Sequence, residues 1–292
     1  MVLSLAFCQY PGMKPVFTLL FSACLAGSVG LASSACLASP GSIANPVAAA
    51  RAATVLTPHH AVYSLSLDRA PGGSVIAAEG RMDYQLSDAC EAWATAQRLD
   101  MNITNDDGSV SHMISDYVTW EQKDGRLLRF SLHQTSNQKV LADIEGEATR
   151  NADGSGHIRY TAPENKQVDL PAGTLFPMAQ TIALLNDAAS GRKFLAAPLF
   201  DGTDEDGAED SFTVIGGFDP ALAPPRWPLL RQIPNGRVDI SFFERGKGDD
   251  TPSYEVAMRY WQNGVSDDVA MDFGDFVVKA SLTNLSSNGK RC

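Results

Sequence analysis

Asp124-Gly125-Arg126-Leu127-Leu128-Arg129-Phe130-Ser131-Leu132-His133 carries a turn signal followed by a strict two-residue alternation. Leu128, Phe130 and Leu132 alternate with Arg129, Ser131 and His133, the period of a strand with one face on a core and the other in water. Asp124-Gly125, just before it, supplies the positive φ angles of a tight type I′ hairpin turn. The pattern repeats outward in both directions. Ala61, Tyr63, Leu65 and Leu67 form one stripe, Met82, Tyr84 and Leu86 another, and Phe276, Val278, Ala280 and Leu282 a third. Between the stripes lie Asp107-Gly108, Asp153-Gly154, Asn235-Gly236 and Asn263-Gly264, each read as a hairpin turn. The chain is therefore expected to be all-β, mainly antiparallel, with about twelve strands.

One helix interrupts the strands, near 175–189. Phe176, Ala179, Ile182, Ala183 and Leu185 share a face there, Pro171 and Gly173 precede it, and Gly191 can end it. A second, weaker helix is read near Pro220 to Leu222. An antiparallel sheet of this size must curl or close to manage its edges. The expected architecture is a highly curved sheet or open barrel with the helix on, or plugging, its concave face.

The first 67 residues hold no Asp or Glu, and all 34 acidic residues follow. Met13-Lys14-Pro15 reads as a start with a single positive charge, and an apolar run from Val16 to Ala38 follows it. This is the composition of a signal peptide and leader over 1–44, with small residues at several cleavable positions. The rival readings are a membrane anchor, since Val16 to Ala38 is long enough to span, and lipidation of Cys24 or Cys36. Ser, Gly and Ala dilute the first, and neither cysteine follows a Leu-small-small triplet. Residues 45–57 read as a flexible lead-in, and 58–292 as a single domain with no stable membrane span.

Without Lys14 the chain keeps 22 basic residues against 34 acidic. That excludes the basic footprint of a nucleic-acid binder and a polybasic dock on anionic lipid. The sequence contains no nucleophile elbow, phosphate loop or dinucleotide fingerprint. His59 and His60 are adjacent on a strand and point to opposite faces, so they are poor co-ligands for one metal. The acidic run Asp201 to Asp210 lacks carboxylates at the first and twelfth positions of a calcium loop and is read as a solvated loop, with a weak irregular calcium site as the alternative. Cys90 sits among acids that would raise its pKa. No catalytic residue, metal site or cofactor is expected; a hydrolase of unknown type is the residual alternative.

Trp93, Tyr117, Trp120, Phe130 and Trp261 fall on expected strands, and Trp227 in the rigid loop Pro224-Pro225-Arg226-Trp227-Pro228. These six are the candidate binding residues, for an acyl chain or a partner's side chains. The competing reading is an ordinary core. Outside the leader only Cys90 and Cys292 are cysteines. In an exported chain they read as a long-range disulfide, worth up to roughly 5 kcal/mol in the chain-entropy picture; two unrelated buried thiols are the alternative.

Several segments together resemble the EipB (envelope integrity protein B) family of alphaproteobacterial periplasmic proteins. They are Pro58-His59-His60-Ala61-Val62-Tyr63, Gly80-Arg81-Met82 with Asp88-Ala89-Cys90-Glu91-Ala92-Trp93, Glu121 to Gly125, Gly146 to Arg150, Leu170-Pro171-Ala172-Gly173-Thr174-Leu175-Phe176-Pro177, Phe200-Asp201-Gly202 and Cys292. The resemblance implies a spiral-like, strongly curved antiparallel sheet, an open barrel similar to lipoprotein-carrier folds. It also implies a disulfide on Cys90 and Cys292. Functionally it implies a non-enzymatic periplasmic factor for cell-envelope integrity that works with another periplasmic protein such as a tetratricopeptide-repeat protein. The aromatic residues themselves leave the alternative of a periplasmic carrier of a lipid, a lipoprotein acyl chain or another apolar small molecule.

Overall fold

The structure is a computed structural model, which describes residues 55–220, 226–246 and 251–289. The leader expected over 1–44 lies outside the described residues. Among those that are described, no helix is long and apolar enough to cross a membrane.

The chain begins as a meander. Strands β1 (His59–Arg69), β2 (Val75–Asp88), β3 (Ala92–Asn105), β4 (Val110–Gln122) and β5 (Leu127–Ser136) follow one another. They continue into β6 (Lys139–Arg150), β7 (Gly156–Ala162) and β8 (Lys166–Leu170), each antiparallel to its predecessor. Helix α1 (Pro177–Ser190) comes next, then β9 (Phe194–Leu199), β10 (Glu209–Ile215), the two-residue β11 (Asp219–Pro220) and β12 (Pro234–Phe243). Strands β13 (Tyr254–Trp261), β14 (Ser266–Asp272) and β15 (Val277–Ser287) complete the chain.

The last strand returns to the first: β15 pairs antiparallel with β1, His59 facing Ser287. All 15 strands thus join one sheet whose ends are β8 and β9. Those ends are the two strands that flank α1 in sequence, so the connection carrying the helix runs from one free edge to the other. Ahead of the helix, Leu175 makes a parallel bridge to Leu199 at the rim of β9. A mainly antiparallel, curled, open barrel with one α-helix among the described residues is the observed fold, and the described strands outnumber the expected twelve because the C-terminal half is cut into shorter pieces.

Most hairpin turns sit where the sequence puts them. Asp107-Gly108, Asp124-Gly125, Asp153-Gly154 and Asn263-Gly264 each lie between consecutive strands. Asn235-Gly236 is the correction: both residues are inside β12. Gly236 serves close approach instead, since a Cβ there would stand 2.5 Å from the Gly217 carbonyl oxygen and 2.4 Å from the Phe218 ring. Sheet pairing overrides the local turn preference. The helix expected near Pro220 is also corrected. Pro220 pairs with Pro234 in the β11–β12 ladder, and 221–222 lie outside the described residues.

The helix spans 177–190, one or two residues later than read. Pro177 opens it, and Gly191 closes it at φ 78°, a left-handed conformation that costs glycine little. Its buried residues are Pro177, Met178, Gln180, Thr181, Leu184, Leu185 and Ala188. The expected face of Phe176, Ala179, Ile182, Ala183 and Leu185 is therefore only partly right. A helix inside a curled sheet is enclosed on most sides, so a single amphipathic stripe does not select its buried face.

Two cores result. The larger gathers Tyr63, Met82, Leu99, Met258, Val278 and their neighbours from β1–β3 and β12–β15 around Met178, Leu184 and Leu185 of the helix. The smaller lies on the inner faces of β4–β8, where Tyr117, Leu128, Phe130, Ile144 and Tyr160 receive Phe176 and Phe200.

Candidate functional site

The segments singled out in the sequence converge on the N-terminal end of α1. Glu121, near the end of β4, continues the inward stripe of Tyr117 and Thr119 and is 1 % exposed. Its carboxylate accepts the Met178 N–H at 2.7 Å and the Ala179 N–H at 2.8 Å. These are donors that a helix leaves unmatched in its first turn. Phe176, at the N-cap position, has no side chain to serve them, and Pro177 has no N–H to offer. A strand carboxylate therefore caps the helix from across the fold. Burial pushes the Glu121 carboxyl up to about 7, outweighing the two backbone N–H groups and Arg150, which act the other way.

Arg150, at the end of β6, holds the approach to the helix. It donates to the Thr174 carbonyl and its guanidinium stands 5.5 Å over the Phe176 ring. Thr174 in turn donates its hydroxyl to the Pro171 carbonyl at 2.6 Å, and the Gly173 N–H reaches the Asp153 carbonyl at 2.9 Å. The Pro-Ala-Gly-Thr-Leu-Phe-Pro element is thus a strap tied to the β6–β7 hairpin.

The second anchor is an aromatic nest. Phe130, Tyr160 and Phe200 meet edge to face, with centroids 5.2 to 6.3 Å apart. Tyr117 donates its hydroxyl to the Asp201 carbonyl, and Tyr160 donates to the Asp204 carbonyl at 2.8 Å. Gly202 lies flat on Phe130 at φ 85°, where a Cβ would come within 2.4 Å of the ring. The reading of 201–210 as a solvated loop is corrected. Asp201 and Thr203 are buried, and Asp201 accepts the Thr203 N–H and hydroxyl at 2.9 and 2.7 Å. Burial first, then Asp201 and Asp204, push the Glu209 carboxyl up to about 7. No group of three metal-ligating side chains occurs among the described residues.

The six candidate binding residues do not share a surface. Trp93 and Trp261 are buried in the larger core, with Lys123 4.7 Å over the Trp93 ring. Tyr117 and Phe130 are buried in the smaller core. Trp120 is half-buried, under Arg129 at 5.3 Å, one strand position out of phase with the inward stripe of β4 and so on its other face. Trp227 is partly buried against the larger core, with Arg226 4.6 Å over its ring. His59 is buried and donates to the Thr57 carbonyl at 2.7 Å, and burial holds its imidazole down to about 4; His60 faces outward to Asp83.

Cys90 occupies the β2–β3 loop at φ 66°. Asn288, just past β15, donates to the Leu86 carbonyl at 3.2 Å and to the Ser87 hydroxyl at 2.8 Å. The C-terminal end of the sheet is therefore tied beside the Cys90 loop, while Cys292 lies outside the described residues.

Glu121 and Arg150 were missed as site residues in the sequence. The available signal was the period-2 register, which puts Glu121 on the same face as Tyr117, together with a helix lacking a capping side chain. What the arrangement does chemically is hold: the carboxylate is closed to solvent and both its oxygens are engaged.

A curled antiparallel sheet wrapped around a helix capped from its own wall defines a helix-filled open-barrel protein. The chain belongs to the EipB-like family, whose sequence model matches residues 50–288. It is 29 % identical over 244 residues to the cell envelope integrity protein EipB of Brucella abortus, covering 82 % of this chain and 86 % of that one. It is also similar to the crystal structure of a β-barrel-like protein of a domain of unknown function from Brucella abortus. There the TM-score is 0.73 and the identity 27 %, over 81 % of this chain and all of the other.

Proposed function

We propose that the chain is a non-enzymatic, exported factor that supports cell-envelope integrity from the periplasm by docking a protein partner on the outside of its sheet. The observation that carries this reading is the filling of the interior. Met178, Leu184 and Leu185 of α1 occupy the larger core, while surface depressions of about 380 and 360 Å³ are lined by β2–β3 and by β9, β10 and β12 residues. The name of the Brucella relative supports the envelope role. A periplasmic address agrees with the leader composition and with a disulfide proposed at Cys90. Its partner in this reading is Cys292, four residues beyond Asn288, a span the chain covers easily. A tetratricopeptide-repeat protein is one partner class.

A second reading, carriage of a lipid or lipoprotein acyl chain, has one observation in its favour. α1 meets β10 and β13 across a polar seam, with Gln180 on Ser211 at 3.1 Å and Tyr260 on Thr181 at 3.3 Å. The Gln180 side-chain amide oxygen and the Thr213 hydroxyl there lack partners among the described residues. A helix seated on such a seam can be displaced at less cost than one seated on apolar contacts alone.

The proposed role is tested by deleting the gene in its host and measuring survival in deoxycholate. The expected result is heightened sensitivity, restored by the wild-type gene and also by Trp93→Phe. Unchanged sensitivity contradicts the envelope role.

A further inference from the structure

We propose that the free rim of β9 docks an extended segment of a partner protein, which adds a strand beside Phe194 and Ala196 and directs a carboxylate toward Lys193. The proposal rests on the protein-docking reading above. β9 is the last strand at its end of the sheet, and among the described residues its ladder partner is β10 alone, apart from the Leu175–Leu199 bridge. That bridge shows which backbone groups face the rim. The Pro198 carbonyl accepts the Leu175 N–H at 2.8 Å, and the Phe200 N–H reaches the Leu175 carbonyl at 3.0 Å. Backbone groups alternate sides along a strand, so the N–H and C=O of Phe194 and Ala196 point outward at the same rim.

A protected edge is normally short, charged or covered. Here Pro198 and Leu175 blunt one end, and the other end is apolar and exposed. Phe194 is 61 % exposed and Phe212 40 %, stacked at 5.8 Å and 22°, with Val214 beside them at 40 %. The 360 Å³ depression against Ala196, Pro198, Phe212 and Phe243 lies at the low end of ligand pockets, a size for one or two side chains. An added strand supplies both the missing hydrogen bonds and alternate side chains for such a hollow.

Charge selects the occupant. Asp210 is engaged by Arg245, and Arg192 by Asp187. Lys193 is exposed and has no ion pair among the described residues, in a chain of net charge −11. A segment with a carboxylate in reach of Lys193 satisfies it. A second copy, bearing the same −11, is opposed by long-range repulsion.

The test uses the mature protein and an acetylated eight-residue peptide of alternating valine and glutamate, with an alternating valine and lysine peptide as control. Two-dimensional NMR is expected to show shifts confined to 193–198 and 210–214 on titration with the glutamate peptide. Ala196→Pro, which removes one rim N–H and is tolerated at an edge, is expected to weaken binding at least tenfold. Lys193→Glu is expected to invert the preference between the two peptides. No shift at about 2 mM peptide, near the weak limit of specific binding, overturns the proposal, as does binding indifferent to Ala196→Pro. Sedimentation velocity showing a dimer that Phe194→Ser dissolves would assign the rim to a second copy and overturn it too. A lipid inside the protein would defeat the docking reading but leave the peptide result standing, so the two failures are distinguishable.

Discussion

Replacing Glu121 by glutamine is expected to lower the melting temperature, and to lower it more at pH 5 than at pH 8. Glutamine keeps one acceptor for two helix N–H groups and turns an amide N–H₂ toward the other. A buried donor left without a partner costs about 1–3 kcal/mol. The pH dependence has a separate origin. Burial raises the Glu121 carboxyl from 4.5 to about 7, so the folded state holds its proton more tightly than the unfolded chain. That contribution is fully present below about pH 4.5 and is lost as pH rises through about 7. At about 1.4 kcal/mol per unit the rise is worth roughly 3 kcal/mol, and glutamine cannot supply it. For a domain of this size the variant's deficit should therefore be larger at pH 5 than at pH 8 by on the order of 10 °C. Glu209, raised to about 7, and His59, lowered to about 4, titrate alike in both proteins and cancel in the comparison. Calorimetric melts at the two pH values decide it; a deficit independent of pH contradicts this account of the carboxylate.

Cys90→Ser is expected to have the other large effect. Under the proposed pairing with Cys292, the bond closes a loop of some two hundred residues, for which chain entropy sets a ceiling of roughly 5 kcal/mol. The corresponding fall in melting temperature is about 10–20 °C. The geometry favours recovery of much of that ceiling, because Asn288 already fixes the end of β15 against Leu86 and Ser87. Reductant should bring the wild type down to the variant and leave the variant unmoved. Equal melting of oxidised and reduced wild type would sink the pairing.

Much of this fold is written in short-range pattern. The stripes Met82-Tyr84-Leu86 and Leu128-Phe130-Leu132 are buried as their alternation requires, because a period of two leaves each side chain one choice of face. Asp124-Gly125 turns the chain because its neighbours on both sides are strands. Asn235-Gly236 carries the same local signal and does not turn, because the approach of Phe218 and Gly217 from outside β12 sets its role. The candidate site is legible only in part for a similar reason. Glu121 and the helix it caps are 57 positions apart, and nothing local to either shows that they meet. The acidic run 201–210 reads as solvated from composition alone, yet Tyr117 and Tyr160 draw it inward through backbone carbonyls and Phe130 packs on Gly202, contacts that composition does not display. Residue by residue, the aromatics read either as contact residues or as ordinary core. Their distribution over two separate cores follows from the curl of the sheet, a property of 15 strands together.

The proposed mode of action is docking at the outer surface, with α1 in place of a cargo. Native mass spectrometry of the mature chain, purified gently from periplasm, tests it most directly. The expected result is the bare polypeptide mass less two hydrogens, with no adduct that extracts into organic solvent. A stoichiometric mass excess that extracts as lipid would contradict it and make α1 a displaceable plug.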